Sequence, residues 1–241
     1  MLETTRGIVL HTLKYSEESL IVNIFTEAHG TLGFLVKIPK SRRNSLRTVL
    51  LRPLSILEIV FDYRPNLGLQ RISEIRLAVS YQSRPFDPLK ETMALFLSEF
   101  LYYALKNEQP SVSLFSYLTN GLEWLDTRHE EYSNFHLVFL MRLTRFLGFW
   151  PNVENYHRDD FYDLLSSQYT RIRPPHGSYL VPEEACLVPL FLRMNYQTMH
   201  LFRMNHVQRG RFLDVLNNYY RLHIPDFPVL KSIAVLREVL S

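Results

Sequence analysis

Basic side chains crowd one short stretch of this sequence, the segment "KIPKSRRNS" (37–45) and the residues just after it. No Asp or Glu occurs between Ala28 and Leu57. Lysine and arginine on an acid-free segment suit phosphate groups, because each neutralised phosphate releases a bound counterion. The alternative is a solvated charged loop that binds nothing. We predict a phosphate-binding surface that ignores base sequence, formed by Lys37, Lys40, Arg42, Arg43, Arg47 and Arg52.

A second basic group stands near the C-terminal end, at Arg203, His206 and Arg209. An acidic peptide that ends in apolar residues would require an apolar groove with a basic rim. On charge alone, we assign these three residues to such a partner-binding rim.

Signals for catalysis or metal binding are weak. The sequence has no Gly-rich phosphate loop, no GxSxG and no HExxH. Cys186 is flanked by apolar residues and is predicted to be a small buried side chain rather than a nucleophile. The histidines and carboxylates between 154 and 184 match no compact metal motif. We therefore expect a protein that is not an enzyme and has no cofactor and no metal.

Composition limits the class of protein. The chain has 241 residues, 46% of them hydrophobic, enough for one large domain or two small ones. Its single cysteine excludes an intramolecular disulfide, and "MLETTRGIVL" lacks the apolar stretch of a signal peptide. No apolar run reaches the roughly 20 residues that span a bilayer. These features favour a cytoplasmic protein with no membrane partner.

Short strands are predicted for the first 80 residues, which position the basic segment. "RGIVLHTL", "SLIVNIFT" and "LSILEIVF" read as strands, "EAHGTLGFLVKI" as a tight hairpin, and "NLGLQRISEIRLAV" as a turn followed by a fifth strand. Five strands suit a partly open barrel of the OB type, and the basic segment leaves the third of them. An SH3-like barrel or a small sandwich stays open, because strand count does not fix topology.

Helices are predicted from residue 81 onward. Asp87-Pro88 is an N-cap followed by a proline suited to the first turn, and apolar residues then recur at spacings of three and four. Further helical patterns end with "LKSIAVLREVL". Residues 151–181 look polar and irregular. The fold class is therefore α+β, with a barrel domain at 1–80 and an all-α domain at 81–241.

Several segments together resemble the RecO family of bacterial DNA repair proteins. The N-terminal part is similar to that family's first domain at Tyr15, Glu18-Ser19, Phe25-Thr26, His29-Gly30 and the basic segment. "RFLGFWP" resembles the helix end that precedes the family's zinc segment, and "LKSIAVLREVL" resembles its closing helix. Many members carry two CxxC pairs after "RFLGFWP", but residues 152–185 contain no such pairs. The resemblance is thus to a branch that lacks the zinc site, with an irregular insertion in its place.

The resemblance implies an OB-fold domain followed by a helical domain. It implies a recombination mediator that binds single- and double-stranded DNA and anneals complementary strands. The implied partners are RecR, the acidic tail of the single-strand-binding protein and, indirectly, RecA, while the segment around 37–47 matches the family's DNA-facing loop. A protein-interaction scaffold, whose basic segment binds an acidic peptide instead of DNA, is the alternative.

Overall fold

The fold is known from a computed structural model, which describes residues 2–37 and 49–239. The chain forms two compact units. The first comprises Met1–Thr127 together with Leu230–Val239, and the second comprises Arg128–Val229. Strands give way to helices after residue 80, so the first unit combines the predicted barrel with helices from both ends of the helical part of the chain.

A closed five-stranded barrel forms the N-terminal part of the first unit. Its order is β1-β2-β3-β5-β4, and β1 closes the barrel by pairing with both β2 and β4. All pairs are antiparallel except β3 with β5. This confirms the predicted five-stranded OB-type barrel. The strands are β1 (Leu2–Ser16), β2 (Ser19–Thr26), β3 (Gly30–Lys37), β4 (Ile56–Asp62) and β5 (Gln70–Leu77).

Alternating side chains fill the barrel. Residues two apart on a strand share a face, and one face of each strand points inward. The buried inward set includes Val22 and Ile24 of β2 and Phe34 of β3. Phe34 meets Phe61 of β4 edge to face, with ring centroids 5.3 Å apart. Lys37 of β3, by contrast, is exposed on the outer surface.

In the described residues, seven α-helices follow the barrel. Asp87 caps α1 as predicted, since its carboxylate accepts the N–H groups of Leu89 and Lys90 at 3.0 and 3.2 Å. The helix that begins at Phe135 ends at Leu143, because the chain turns there. The helices are α1 (Pro88–Ala104), α2 (Val112–Thr127), α3 (Phe135–Leu143), α4 (Pro182–Ala185), α5 (Val188–Arg193), α6 (His206–His223) and α7 (Ser232–Val239).

The β2–β3 turn requires a glycine. Gly30 has φ +68°, and a Cβ at that position would lie 2.5 Å from the carbonyl oxygen of Glu108. The Thr26 hydroxyl donates to the Gly30 carbonyl at 2.8 Å, and Thr31 donates to the Leu105 carbonyl at 2.7 Å. The turn therefore packs directly against the loop between α1 and α2, at the opposite end of β3 from Lys37.

One carboxylate at the end of α2 organises the passage from barrel to helices. Asp126 accepts the backbone N–H groups of Gln82, Ser83 and Arg84 at 2.8, 3.0 and 2.8 Å. The ammonium group of Lys90, almost fully buried, donates to the Asp126 carbonyl at 3.1 Å. Burial alone would raise the pKa of the Asp126 carboxyl, but the three N–H groups and the nearby Lys90 charge hold it below its ordinary value.

The second unit contains a small sheet where an irregular segment was expected. Strands β6 (Phe161–Asp163), β7 (Gln168–Thr170) and β8 (Tyr179–Leu180) pair in the order β7-β6-β8, so that prediction is wrong for these residues. Their core is Tyr162, 1% exposed, whose ring lies edge to face with Tyr169 at 4.9 Å. Some of the polar residues that suggested an irregular loop are exposed, such as Glu154 and His157, whereas Asp160 is buried.

We predict that Asp126→Asn lowers the free energy of unfolding by about 2–4 kcal/mol at pH 7, because three backbone N–H groups lose a charged acceptor and the buried Lys90 cation loses a nearby negative charge. A carboxyl with a lowered folded pKa stabilises the fold above its unfolded pKa and loses that effect as pH falls through the folded value. The deficit of the variant should therefore shrink towards pH 3.

Urea unfolding at pH 7 and pH 3 measures the loss of unfolding free energy and its change with pH, and the exposed Glu130→Gln is the control. An Asp126→Asn deficit that stays constant across this pH range contradicts the role given to the charge.

Candidate nucleic-acid interface and partner groove

Two of the six predicted phosphate contacts lie in the described part of the chain. Lys37 ends β3, and Arg52 lies in the turn that leads into β4; both side chains are exposed. Neither has an acidic partner within the described residues. The other four, Lys40, Arg42, Arg43 and Arg47, lie outside the described residues.

Strand register places Lys37 on a polar corner of the barrel. Lys37 is opposite Ser19 of β2, and Ser19 is opposite Ser16 of β1. Residues opposite each other in neighbouring strands share a face, with Cβ atoms about 5 Å apart. The hydroxyl-bearing corner beside Lys37 adds hydrogen-bond donors suited to phosphate oxygens.

The turn that carries Arg52 is held firmly against β1. Leu54 is buried in a left-handed conformation, φ 58°, and its N–H donates to the Val9 carbonyl at 2.8 Å. The Val9 N–H in turn donates to the Ser55 carbonyl at 3.0 Å. Arg84 adds a hydrogen bond to the Pro53 carbonyl at 2.5 Å. Arg52 is therefore an exposed cation on a fixed backbone.

Sequence reasoning missed Arg71. It is the second residue of β5 and lies opposite Leu35 of β3 in their parallel pairing. Leu35 comes two residues before Lys37 on β3. Since residues two apart share a face, Arg71 and Lys37 lie on the same outer surface. Arg71 is exposed and has no acidic partner among the described residues. No local signal could have found it, because a parallel pairing joins residues that are distant in sequence.

An apolar cavity of about 730 Å³ lies within the second unit. Its mouth exposes Leu201 and Val207, which are 68% and 65% exposed. Arg203, Arg211 and Gln208 also line it, but Arg211 is already paired with Glu184 at 2.6 and 2.9 Å. The interior is lined by apolar side chains from the small sheet and from α5 and α6, among them Leu180, Val188, Phe191, Phe212, Val215 and Leu216.

The three predicted rim residues have different positions. Arg203 lines the cavity, is exposed and has no acidic partner among the described residues. His206 begins α6 and is exposed, but it is not among the residues that line the cavity. Arg209 turns back onto the chain, where its guanidinium donates to the Met204 carbonyl at 3.4 Å. Only Arg203 of the three therefore has the geometry of a rim cation.

Arg209 acts on a buried histidine. His136 on α3 is fully buried, and burial together with the positive charge of Arg209 lowers its pKa to about 3. Burial also lowers the pKa of Arg209 itself. The charge of Arg209 therefore acts on His136 inside the unit.

Two carboxylates between 154 and 184 accept hydrogen bonds from nearby backbone N–H groups. Asp160 accepts the His157 N–H at 2.8 Å, and Asp163 accepts the Leu165 N–H at 2.8 Å. Across residues 2–37 and 49–239, no three His, Cys, Asp or Glu side chains are grouped to hold a metal ion. Cys186 is exposed, so the prediction that it is buried is wrong. Its thiol lies at the end of the four-residue helix α4, where few neighbours cover it.

The described residues thus define a protein of the OB-fold class, with a cationic outer corner on its barrel and helices after it. Comparison with known proteins narrows this class. Family profiles described as "Recombination protein O N terminal" and "Recombination protein O C terminal" match residues 1–81 and 85–232.

Three relatives of similar length are named DNA repair protein RecO. The chain is 50% identical over 241 residues, 100% of both chains, to the DNA repair protein RecO of Phocaeicola vulgatus. It is 50% identical over 240 residues to that of Bacteroides fragilis and 31% identical over 243 residues to that of Porphyromonas gingivalis, covering 99% and 98% of each chain. The chain belongs to the RecO family of DNA repair proteins. Within the described residues, no helix is long and apolar enough to cross a membrane.

We predict that His136 makes the second unit sensitive to mild acid. Between its ordinary pKa and about 3, the unfolded chain binds a proton that the folded chain excludes, so stability falls as pH decreases through this interval. One such group contributes a slope of up to about 1.4 kcal/mol per pH unit. His136→Leu should reduce the slope by that amount.

Denaturant titrations at pH 7, 6 and 5 measure the slope, and the exposed His129→Leu should leave it unchanged. Equal slopes in His136→Leu and the parent protein would disprove the assignment.

Proposed function

We propose that this chain is a recombination mediator in DNA repair. It binds single- and double-stranded DNA without reading base sequence and promotes annealing of complementary strands. With RecR, it helps to load RecA onto strands covered by single-strand-binding protein. It works in the cytoplasm and is not an enzyme. Membership of the RecO family supports this proposal, and the cationic corner of the barrel is the observation that carries it.

The DNA contact is electrostatic. Lys37, Arg52 and Arg71 are exposed cations without acidic partners among the described residues. In the sequence, Lys37 and Arg52 flank the segment that carries the four other predicted phosphate contacts, between 40 and 47. Cations on a fixed barrel bind phosphates at any sequence, because the backbone charge of DNA does not depend on the bases. Small barrels bind strands along such basic surfaces.

The apolar cavity of the second unit is the contact for the acidic tail of the single-strand-binding protein. Arg203 attracts the acidic residues at the rim, and the mouth at Leu201 and Val207 receives the apolar end. This combination of a desolvated apolar pocket with a cationic rim matches a peptide that is both acidic and apolar. The roles of RecR and RecA rest on family membership alone.

We predict a salt-dependent affinity for a single-stranded oligonucleotide, measured by fluorescence anisotropy between 50 and 300 mM salt (roughly the range over which counterion release is visible). Each single-strand phosphate contact contributes about 0.7 to the log–log slope. Lys37→Ala/Arg71→Ala should reduce the slope by about 1.4, and alanine at 40, 42, 43 and 47 by up to about 2.8.

Lys106→Ala/Lys231→Ala is the matched control. The Leu105 carbonyl accepts a hydrogen bond from Thr31, at the end of β3 that lies roughly 20 Å along the strand from Lys37. Lys106 follows Leu105 and is therefore far from the proposed DNA contact. A parent slope near zero overturns DNA binding, and binding of an acidic peptide that survives high salt would favour the scaffold alternative. Unchanged slopes in both variants would remove the barrel corner as the contact.

We predict that a peptide with the last residues of the organism's single-strand-binding protein binds the cavity. Arg203→Glu should weaken it about tenfold or more at low salt, because an attraction at the rim becomes a repulsion. Arg193→Glu is the matched control, since Arg193 is exposed on α5 and does not line the cavity. Calorimetric titration measures both. Equal weakening by the two variants would show that the effect depends on the net charge of the protein and not on the cavity rim. A peptide without its apolar end should not bind.

A further inference from the structure

The β1–β2 hairpin carries an aromatic ring that the barrel does not use. Lys14 is opposite Leu20, and Ser16 is opposite Ser19, so β1 advances two residues where β2 advances one. Tyr15 is the extra residue of this β-bulge. Bulges redirect a side chain away from the regular alternation of a strand, and they are frequent beside functional sites.

Tyr15 is free of the packing that holds other aromatic residues of this unit. It is 66% exposed and makes no ring contact or hydrogen bond with the described residues. Tyr102, by contrast, stacks on His11 at 4.7 Å, and Tyr63 stacks on His29 at 3.9 Å. Because the ring is exposed and makes no such contact among the described residues, its removal should cost the fold little.

Apolar side chains lie beside this ring on the outer face of three strands. Leu13, two residues before Tyr15, is opposite Ile21, and Ile21 is opposite Leu35. Leu13 is 53% exposed, and the other two are partly exposed. Cross-strand partners share a face, so the three form one apolar row across β1, β2 and β3.

Cations border the row. Lys37 is two residues beyond Leu35 on the same face, and Arg71 is opposite Leu35 on β5. From strand spacing, the hairpin end of β1 and Lys37 are separated by two strand intervals, roughly 10 Å. An apolar floor with a free aromatic ring and bordering cations fits unpaired bases attached to phosphates. A duplex offers the same phosphates, but its base faces are already stacked.

We propose that Tyr15 stacks on an unpaired base and gives this protein a preference for single-stranded over double-stranded DNA. This inference rests on the DNA binding proposed above and names the residue that distinguishes the two forms. The cations bind either form through phosphates, whereas the ring contributes only where a base face is exposed. Base–aromatic stacking tolerates every base, which is consistent with binding that ignores sequence.

The test compares oligothymidylate with a duplex of equal length at one fixed salt concentration, for the parent protein, Tyr15→Leu and Tyr15→Phe. Stacking is worth about 1–3 kcal/mol per base, so Tyr15→Leu should lose about fivefold or more in single-strand affinity. Its duplex affinity should change by less than about twofold, which is the scale of a contact with no role. Tyr15→Phe keeps the ring and should retain single-strand affinity.

Phe86→Leu is the control, because Phe86 is an exposed aromatic residue of the same unit, 85% exposed, that lies after the barrel. Photo-crosslinking to 5-iodouracil, followed by peptide mapping, should identify the peptide that contains Tyr15. An equal loss on both DNA forms, or no loss, overturns the stacking role while leaving DNA binding intact. Failure of the parent protein to bind either form overturns the proposed function itself.

Discussion

The Asp126 carboxylate is the interaction on which the first unit depends. By accepting three consecutive N–H groups of the segment between β5 and α1, it fixes the position of Arg84. Arg84 then reaches the Pro53 carbonyl and lies over the Tyr81 ring at 4.3 Å, and Tyr81 donates to the Leu54 carbonyl at 2.8 Å. A buried charge with satisfied partners thus orients the turn that carries Arg52. The cationic surface of the barrel depends on a residue at the end of a helix.

Local patterns predicted what local forces determine. The β-branched runs became strands, and Asp87-Pro88 began a helix because an N-cap and a fixed φ act within one turn. The position of Arg71 was not predictable, since the β3–β5 pairing is parallel and non-local. The exposed position of Tyr15 on a bulge was also not predictable, because a bulge is defined by register with a partner strand. Of the candidate site, the sequence indicated Lys37 and Arg52 but neither Arg71 nor the surface that the cations of the barrel share.

The second unit shows how a segment without cysteines can still be ordered. Tyr162 packs between Tyr169 and the surrounding Leu164, Leu180 and Val188, while the Tyr169 hydroxyl donates to the Ala185 carbonyl at 2.9 Å. Aromatic burial and one directed hydrogen bond connect the sheet to α4. Tyr156 also packs on Tyr169, with ring centroids 4.8 Å apart, but the central ring is Tyr162. Polar composition concealed this core, since Tyr162 is the only fully buried residue of β6 and β7.

The two proposed contacts differ in physical basis. Under the proposed function, the barrel corner binds DNA through cations without acidic partners among the described residues, so its affinity should fall steeply with salt as contacts with single phosphates break and form. The cavity should bind a peptide mainly through apolar burial, which salt weakens little. On this proposal, a strand could shift along the barrel while a peptide in the cavity stays bound. The proposed stacking on Tyr15 lies between these extremes, because it would retain unpaired bases without fixing their register.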